Sequence, residues 1–106
     1  MLVSRDEAKK TIYVTPDRDL VADEAQAMRR ELLGCIWQGT ETLVLDLARV
    51  QTIDAIGLET IIAAYNWIRK SGGELIIENA SRDLKDLFGL MRTDGHLTIS
   101  RTGWPR

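Results

Sequence analysis

The sequence predicts an α/β domain with helices packed on a β-sheet, and two observations carry that prediction. Short, nearly continuous apolar runs at Leu43-Val44-Leu45 with Leu47, and at Leu75-Ile76-Ile77, have the pattern of strands covered on both faces, as in a parallel sheet. Around them, apolar residues recur at steps of three and four, the spacing of amphipathic helices, and the elements alternate β-α-β-α-β-α-β. At 106 residues the chain fits one domain, residues 1–106, with enough length for a single core and too little for two.

Residues 1–9 are mostly polar and leave two readings open, an edge strand or a frayed arm. Thr11-Ile12-Tyr13-Val14-Thr15 is β-branched and aromatic and is punctuated by Pro16-Asp17, which predicts a strand and a turn. Val21, Ala25, Met28, Leu32, Cys35 and Ile36 then lie on one helical face, with Asp19 or Asp23 as candidate caps and Gly39 as the candidate stop. The second helix has Leu58, Ile61, Ile62, Tyr65 and Ile68 as its apolar residues and closes at Gly72-Gly73, which completes a βαβ unit. Trp67 falls beside that stripe. Ser81 is placed to cap a third helix with Leu84, Leu87, Phe88 and Met91 inward, Leu97-Thr98-Ile99 supplies a last strand, and residues 101–106 are read as an irregular tail.

Composition narrows the function classes. Apolar residues make up 44% and charged residues 28%, with a formal net charge of −2, as in an ordinary globular domain without the basic footprint that phosphate backbones require. Nucleic acid is not an expected partner. No apolar run approaches a spanning length, no secretory signal pattern is present, and the single cysteine, Cys35, has no partner for an internal disulfide; cytoplasmic placement without direct membrane contact is expected. His96 is the only histidine, so neither a metal site nor a Cys/His or Ser/His pair is supported, and no phosphate-binding glycine motif is found. No enzyme activity, metal or cofactor is expected. One chemical alternative is a phosphoacceptor receiver built on Asp46 with Asp17 and Asp19, but Glu78-Asn79-Ala80-Ser81 lacks the lysine that would neutralise a phosphoryl group. Asp46 is read instead as a strand-end residue bonded to nearby backbone.

Asp54-Ala55-Ile56-Gly57-Leu58 joins a short extended stretch to the second helix, where free N–H groups and the positive dipole end gather. Taken locally, Asp54 caps the helix and Gly57 permits a tight turn.

Several spaced segments, agreeing in order and distance, resemble the STAS domains of bacterial anti-sigma factor antagonists and their stress-complex relatives. They are Leu45-Asp46-Leu47, Val50, Ile53-Asp54, Gly57-Leu58 and Gly72-Gly73-Glu74-Leu75. Ala63-Ala64-Tyr65-Asn66, Arg69-Lys70-Ser71 and Leu87-Phe88-Gly89-Leu90-Met91-Arg92 extend the likeness, as does Thr15-Pro16 with Asp19-Leu20-Val21-Ala22, so that it spans roughly residues 11–100. The resemblance implies a STAS-type single domain: a mixed, mostly parallel sheet of four to five strands with three to four helices. It implies a partner switch, in which the domain binds an anti-sigma factor serine kinase or a related histidine-kinase-like protein through Asp54, Ala55, Ile56, Gly57, Leu58 and Glu59. Homo-oligomerisation is left open. An alternative use of such domains is as a structural subunit of a lipid-transport or stress-signalling assembly.

The family's phosphoacceptor serine or threonine directly follows the motif aspartate, where this chain has Ala55, and alanine has no hydroxyl to phosphorylate. No phosphorylation is therefore expected at that position. A natural non-phosphorylated variant ranks first as the explanation, a serine replaced to lock the binding state second, and a substitute hydroxyl at Thr52 or Thr60 third, since a shift of that size would misplace the acceptor.

Overall fold

A computed structural model of the protein describes residues 1–36, 39–89 and 97–99. These form five strands and three helices: β1 (Leu2–Asp6), β2 (Thr11–Thr15), α1 (Ala22–Cys35), β3 (Thr42–Asp46), α2 (Ala55–Lys70), β4 (Glu74–Glu78), α3 (Arg82–Gly89) and β5 (Leu97–Ile99). The strands lie in sequence order in one sheet, β1 antiparallel to β2 and every later pair parallel, so the sheet is mixed and mostly parallel as expected. His96, Met91 and the tail 101–106 lie outside the described residues.

The sequential order decides where the core sits. Three crossovers that all step the same way carry their helices to the same face of the sheet when each takes the right-handed sense usual for parallel connections. One cluster accordingly joins Ile12, Val14, Leu43, Leu45, Leu75 and Ile77 of the strands to Met28 and Leu32 of α1, Ile61 and Ile68 of α2, and Leu84 and Phe88 of α3. The opposite face carries Tyr13, Val44 and Ile76 at one register level. Val44 and Ile76 are buried there too, at 3% and 7% exposure, so the continuous apolar runs do mark strands buried on both sides.

The first ten residues form an edge strand and hairpin. Leu2 pairs with Thr15 and Asp6 with Thr11, and the turn is closed by Lys9 N–H donating to Asp6 Oδ1 at 3.1 Å. Both faces of β1 are largely exposed, which is why its sequence shows no alternation.

α1 departs from expectation at both ends. Neither Asp19 nor Asp23 caps it: Val21 is the N-cap residue and offers no side-chain bond, while Asp19 is engaged elsewhere. The helix ends at Cys35 with Ile36 N–H donating to Leu32 O, and Gly39, at φ 102°, lies beyond it in the approach to β3. The ends of α2 and the start of α3 follow their sequence signals, whereas Ile62 and Leu87 of the expected apolar stripes are only half-buried. Ser81 Oγ accepts from Leu84 N–H at 3.3 Å, and α2 is closed by Gly72, at φ 77°, with Gly73 N–H returning to Ile68 O at 3.0 Å. Trp67 projects outward, 52% exposed.

Candidate functional site

The segment that leads into α2 does not stand alone. It is bound along its length to the segment that leads into α1. Asp19 Oδ1 accepts from Gln51 N–H at 2.9 Å and from Thr52 N–H at 3.3 Å. Leu20 N–H donates to Thr52 O at 3.1 Å, and Asp54 N–H to Leu20 O at 3.2 Å, a short parallel bridge centred on Leu20 and Ile53. These contacts extend the sheet pairing beyond the ends of β2 and β3 and bring the starts of α1 and α2 together.

Asp54 completes the junction. Its Oδ1 accepts from Gly57 N–H at 2.9 Å, the N-cap bond expected from the sequence, and its Oδ2 accepts from Ala22 N–H of α1 at 2.8 Å. One carboxylate thus bridges two helix starts 32 positions apart in the chain. The N–H groups of Gly57, then Ala22, then Ile56, favour the charged carboxylate and hold its pKa below the ordinary aspartate value. The positive end of α2 is therefore already occupied by an anion, the chain's own.

Gly57 serves this junction differently from the expected turn. Its φ is not positive; it is buried, and a Cβ there would collide with the Leu20 carbonyl oxygen and with the Ile53 side chain. Glycine is needed because two backbones pass in close approach.

The six residues expected to face a partner separate into three pairs. Asp54 and Gly57 hold the junction, Ala55 and Glu59 are exposed, and Ile56 and Leu58 are half-buried. Ala55, the first residue of α2, stands open next to the bridging carboxylate. Of the two alternative hydroxyls, Thr60 is buried at 2% exposure and donates to Ile56 O at 3.0 Å, whereas Thr52 is exposed in the loop. Asp19, Leu20 and Ala22 are parts of the junction that local sequence reasoning did not assign, and the signal for them was the resemblance of Asp19-Leu20-Val21-Ala22 to one subgroup of antagonists.

Asp46 is a strand-end bracket. Its Oδ1 accepts from Ala48 N–H and from Asn79 Nδ2, both at 3.0 Å, which ties the end of β3 to the end of β4. Asp17 is drawn away to the amino terminus at 3.5 Å and to Arg18 at 3.7 Å. Among the described residues no group of three or more His, Cys, Asp or Glu has the arrangement of a metal site, and no helix is long and apolar enough to cross a membrane.

Comparison with known structures gives the fold a context. SpoIIAA, an anti-sigma factor antagonist, is similar in its unphosphorylated form with a TM-score of 0.77 at 14% identity, over 96% of this chain and 88% of that one. Its phosphorylated form, from Bacillus, gives 0.72 at 15% identity, over 93% and 89%. TM1081 of Thermotoga maritima, a candidate anti-sigma factor antagonist, gives 0.78 at 18% identity, over 95% and 86%. No curated protein sequence is significantly similar to the chain. The sequence profile of the STAS domain matches residues 3–102, nearly the whole chain, and the protein belongs to the STAS domain family.

Proposed function

We propose that the protein is a non-catalytic, cytoplasmic switch module of the anti-sigma factor antagonist kind. It docks a kinase-type anti-sigma factor, or a related histidine-kinase-like protein, through Ala55, Ile56, Leu58 and Glu59, on a scaffold held by Asp54 and Gly57. The observation that carries this reading is the start of α2, where Ala55 and Glu59 are exposed and Ile56 and Leu58 half-buried, presented by a junction in which Asp54 is already satisfied by backbone donors. A surface whose anion site is internally filled suits protein docking better than capture of a free phosphate.

Ala55 gives the module its character. A phosphoryl group of charge about −1.5 to −2 added at that position would stand beside the Asp54 carboxylate and oppose a packed interface. Alanine accepts no such group, and the buried, bonded Thr60 hydroxyl does not replace it. The domain is thereby held in its binding state, and control falls to the amount of the protein or to its partner.

The test is capture from the native lysate on the purified protein and on its Ala55→Asp form, followed by mass spectrometry and measurement of affinity for the captured partner. A kinase-type anti-sigma factor is expected on the first, bound about tenfold or more weakly by the second. Recovery of only transporter or scaffold subunits, equally on both forms, would instead make the chain a structural subunit and Ala55 incidental.

A further inference from the structure

One face of α2 lies outside the core cluster. The helix buries Gly57, Thr60, Ile61, Ala64, Tyr65 and Ile68. With 3.6 residues per turn, the side opposite carries Glu59, Ile62, Ala63, Asn66, Trp67 and Lys70. Glu59, Trp67 and Lys70 are exposed and the other three are half-buried. Trp67 is the largest apolar side chain left open among the described residues, at 52%.

The charge on this stripe is divided between its ends. Glu59 lies near the start of the helix and Lys70 is its last residue, about 16 Å apart along the axis, with only neutral side chains of the stripe between them. Among the described residues, neither joins an ion pair.

We infer that this stripe docks a second copy of the chain, the two α2 helices running antiparallel about a two-fold axis at the level between Ala64 and Tyr65. In that arrangement each Glu59 stands level with Lys70 of the other copy, each Ile62 with Trp67, and each Ala63 with Asn66. A parallel pairing in register sets Glu59 against Glu59 and Lys70 against Lys70, so the charge pattern itself selects the antiparallel one. The small Ala63 near the middle lets the helices approach, and Trp67 supplies the apolar anchor such interfaces depend on. A face of three helical turns is smaller than the roughly 800 Å² per partner of a standard stable interface, so the dimer is weak and reversible. The inference does not depend on the proposed partner of the Asp54–Glu59 segment, although Glu59 belongs to both surfaces.

Sedimentation velocity over a concentration series tests it with the intact chain. A monomer–dimer equilibrium is expected. Glu59→Lys and Lys70→Glu should each weaken it by about tenfold, because the two-fold axis creates two like-charge contacts per dimer. Mixing the two variants should restore association as a heterodimer, and the double variant Glu59→Lys/Lys70→Glu should dimerise nearly as the original chain does. Both positions are exposed, so the fold is not at stake. A chain that stays monomeric throughout the series overturns the inference, as does a dimer indifferent to the single charge reversals or one that the mixture fails to restore.

Discussion

The starts of α1 and α2 lie side by side and are built by opposite means. α2 carries its own cap: Asp54 receives Gly57 N–H three residues on, in the local geometry that N-cap aspartates adopt. α1 carries none. Its N-cap is Val21, its first residue Ala22 has φ 48°, in the left-handed region, and the acceptor for Ala22 N–H is borrowed from Asp54. The difference teaches that the Asp54 carboxylate is the cap of α2 by sequence and the anchor of α1 by fold. The two helix starts thereby share one acceptor.

The sharpest way to break this pairing is to force the two starts apart. Gly57→Ala puts a methyl group into the Leu20 carbonyl, which can yield only if the bridge between the segments opens. A loss of about 1–3 kcal/mol is expected in urea unfolding. Gly34→Ala, in α1 with nothing within 4 Å of the added carbon, is the control and should gain about 0.5–1 kcal/mol from helix propensity. Equal effects at the two sites would mean that the close approach does not matter.

Acid is the second probe. Because the folded-state pKa of Asp54 is depressed by the Gly57, Ala22 and Ile56 N–H groups, its contribution to stability is fully present above the unfolded aspartate value, about 3.9. It is lost as pH falls through the lower folded value. Asp17, held down chiefly by the amino terminus, acts in the same direction. Stability measured from pH 6 down to about pH 3 should therefore fall. In Asp54→Asn it should start lower and fall less, since Asp17 is common to both proteins. Parallel curves would sink the view that this carboxylate holds the junction in its charged form.

How much of this was legible in the sequence depended on how far apart the interacting residues are. Asp54 with Gly57, and Ser81 with Leu84, are local caps and were read directly. The apolar runs of β3 and β4 announced a parallel sheet because both of their faces are buried. β1 gave no signal because its residues face water on both sides and its position is fixed by pairing with β2. Asp19 misleads a local reading for a related reason. It stands where a helix cap belongs, but its acceptor oxygen meets backbone donors at Gln51 and Thr52, more than thirty positions away, which no local pattern encodes. Taken locally, Gly57 permits a tight turn; the reason glycine is needed, the Leu20 carbonyl, is again distant in sequence. The place of Ala55 was meaningful only through resemblance, since one exposed alanine at the start of a helix carries no chemistry of its own.

The smallest expected effect bears most directly on the borrowed cap. Ala22 pays a steric cost for its left-handed conformation, about 1–2 kcal/mol for a residue with a Cβ, and glycine would not. Ala22→Gly should therefore stabilise the protein by about 1 kcal/mol, since the residue is exposed and its N–H bond to Asp54 is kept. The decisive comparison is the same substitution made in Asp54→Asn. If the carboxylate is what holds Ala22 at positive φ, the weakened anchor lets the alanine relax, and the gain from glycine shrinks. A gain that is the same in both backgrounds would show that the strain at α1 is set by the chain around Ala22, leaving the two helix starts energetically independent despite their shared carboxylate.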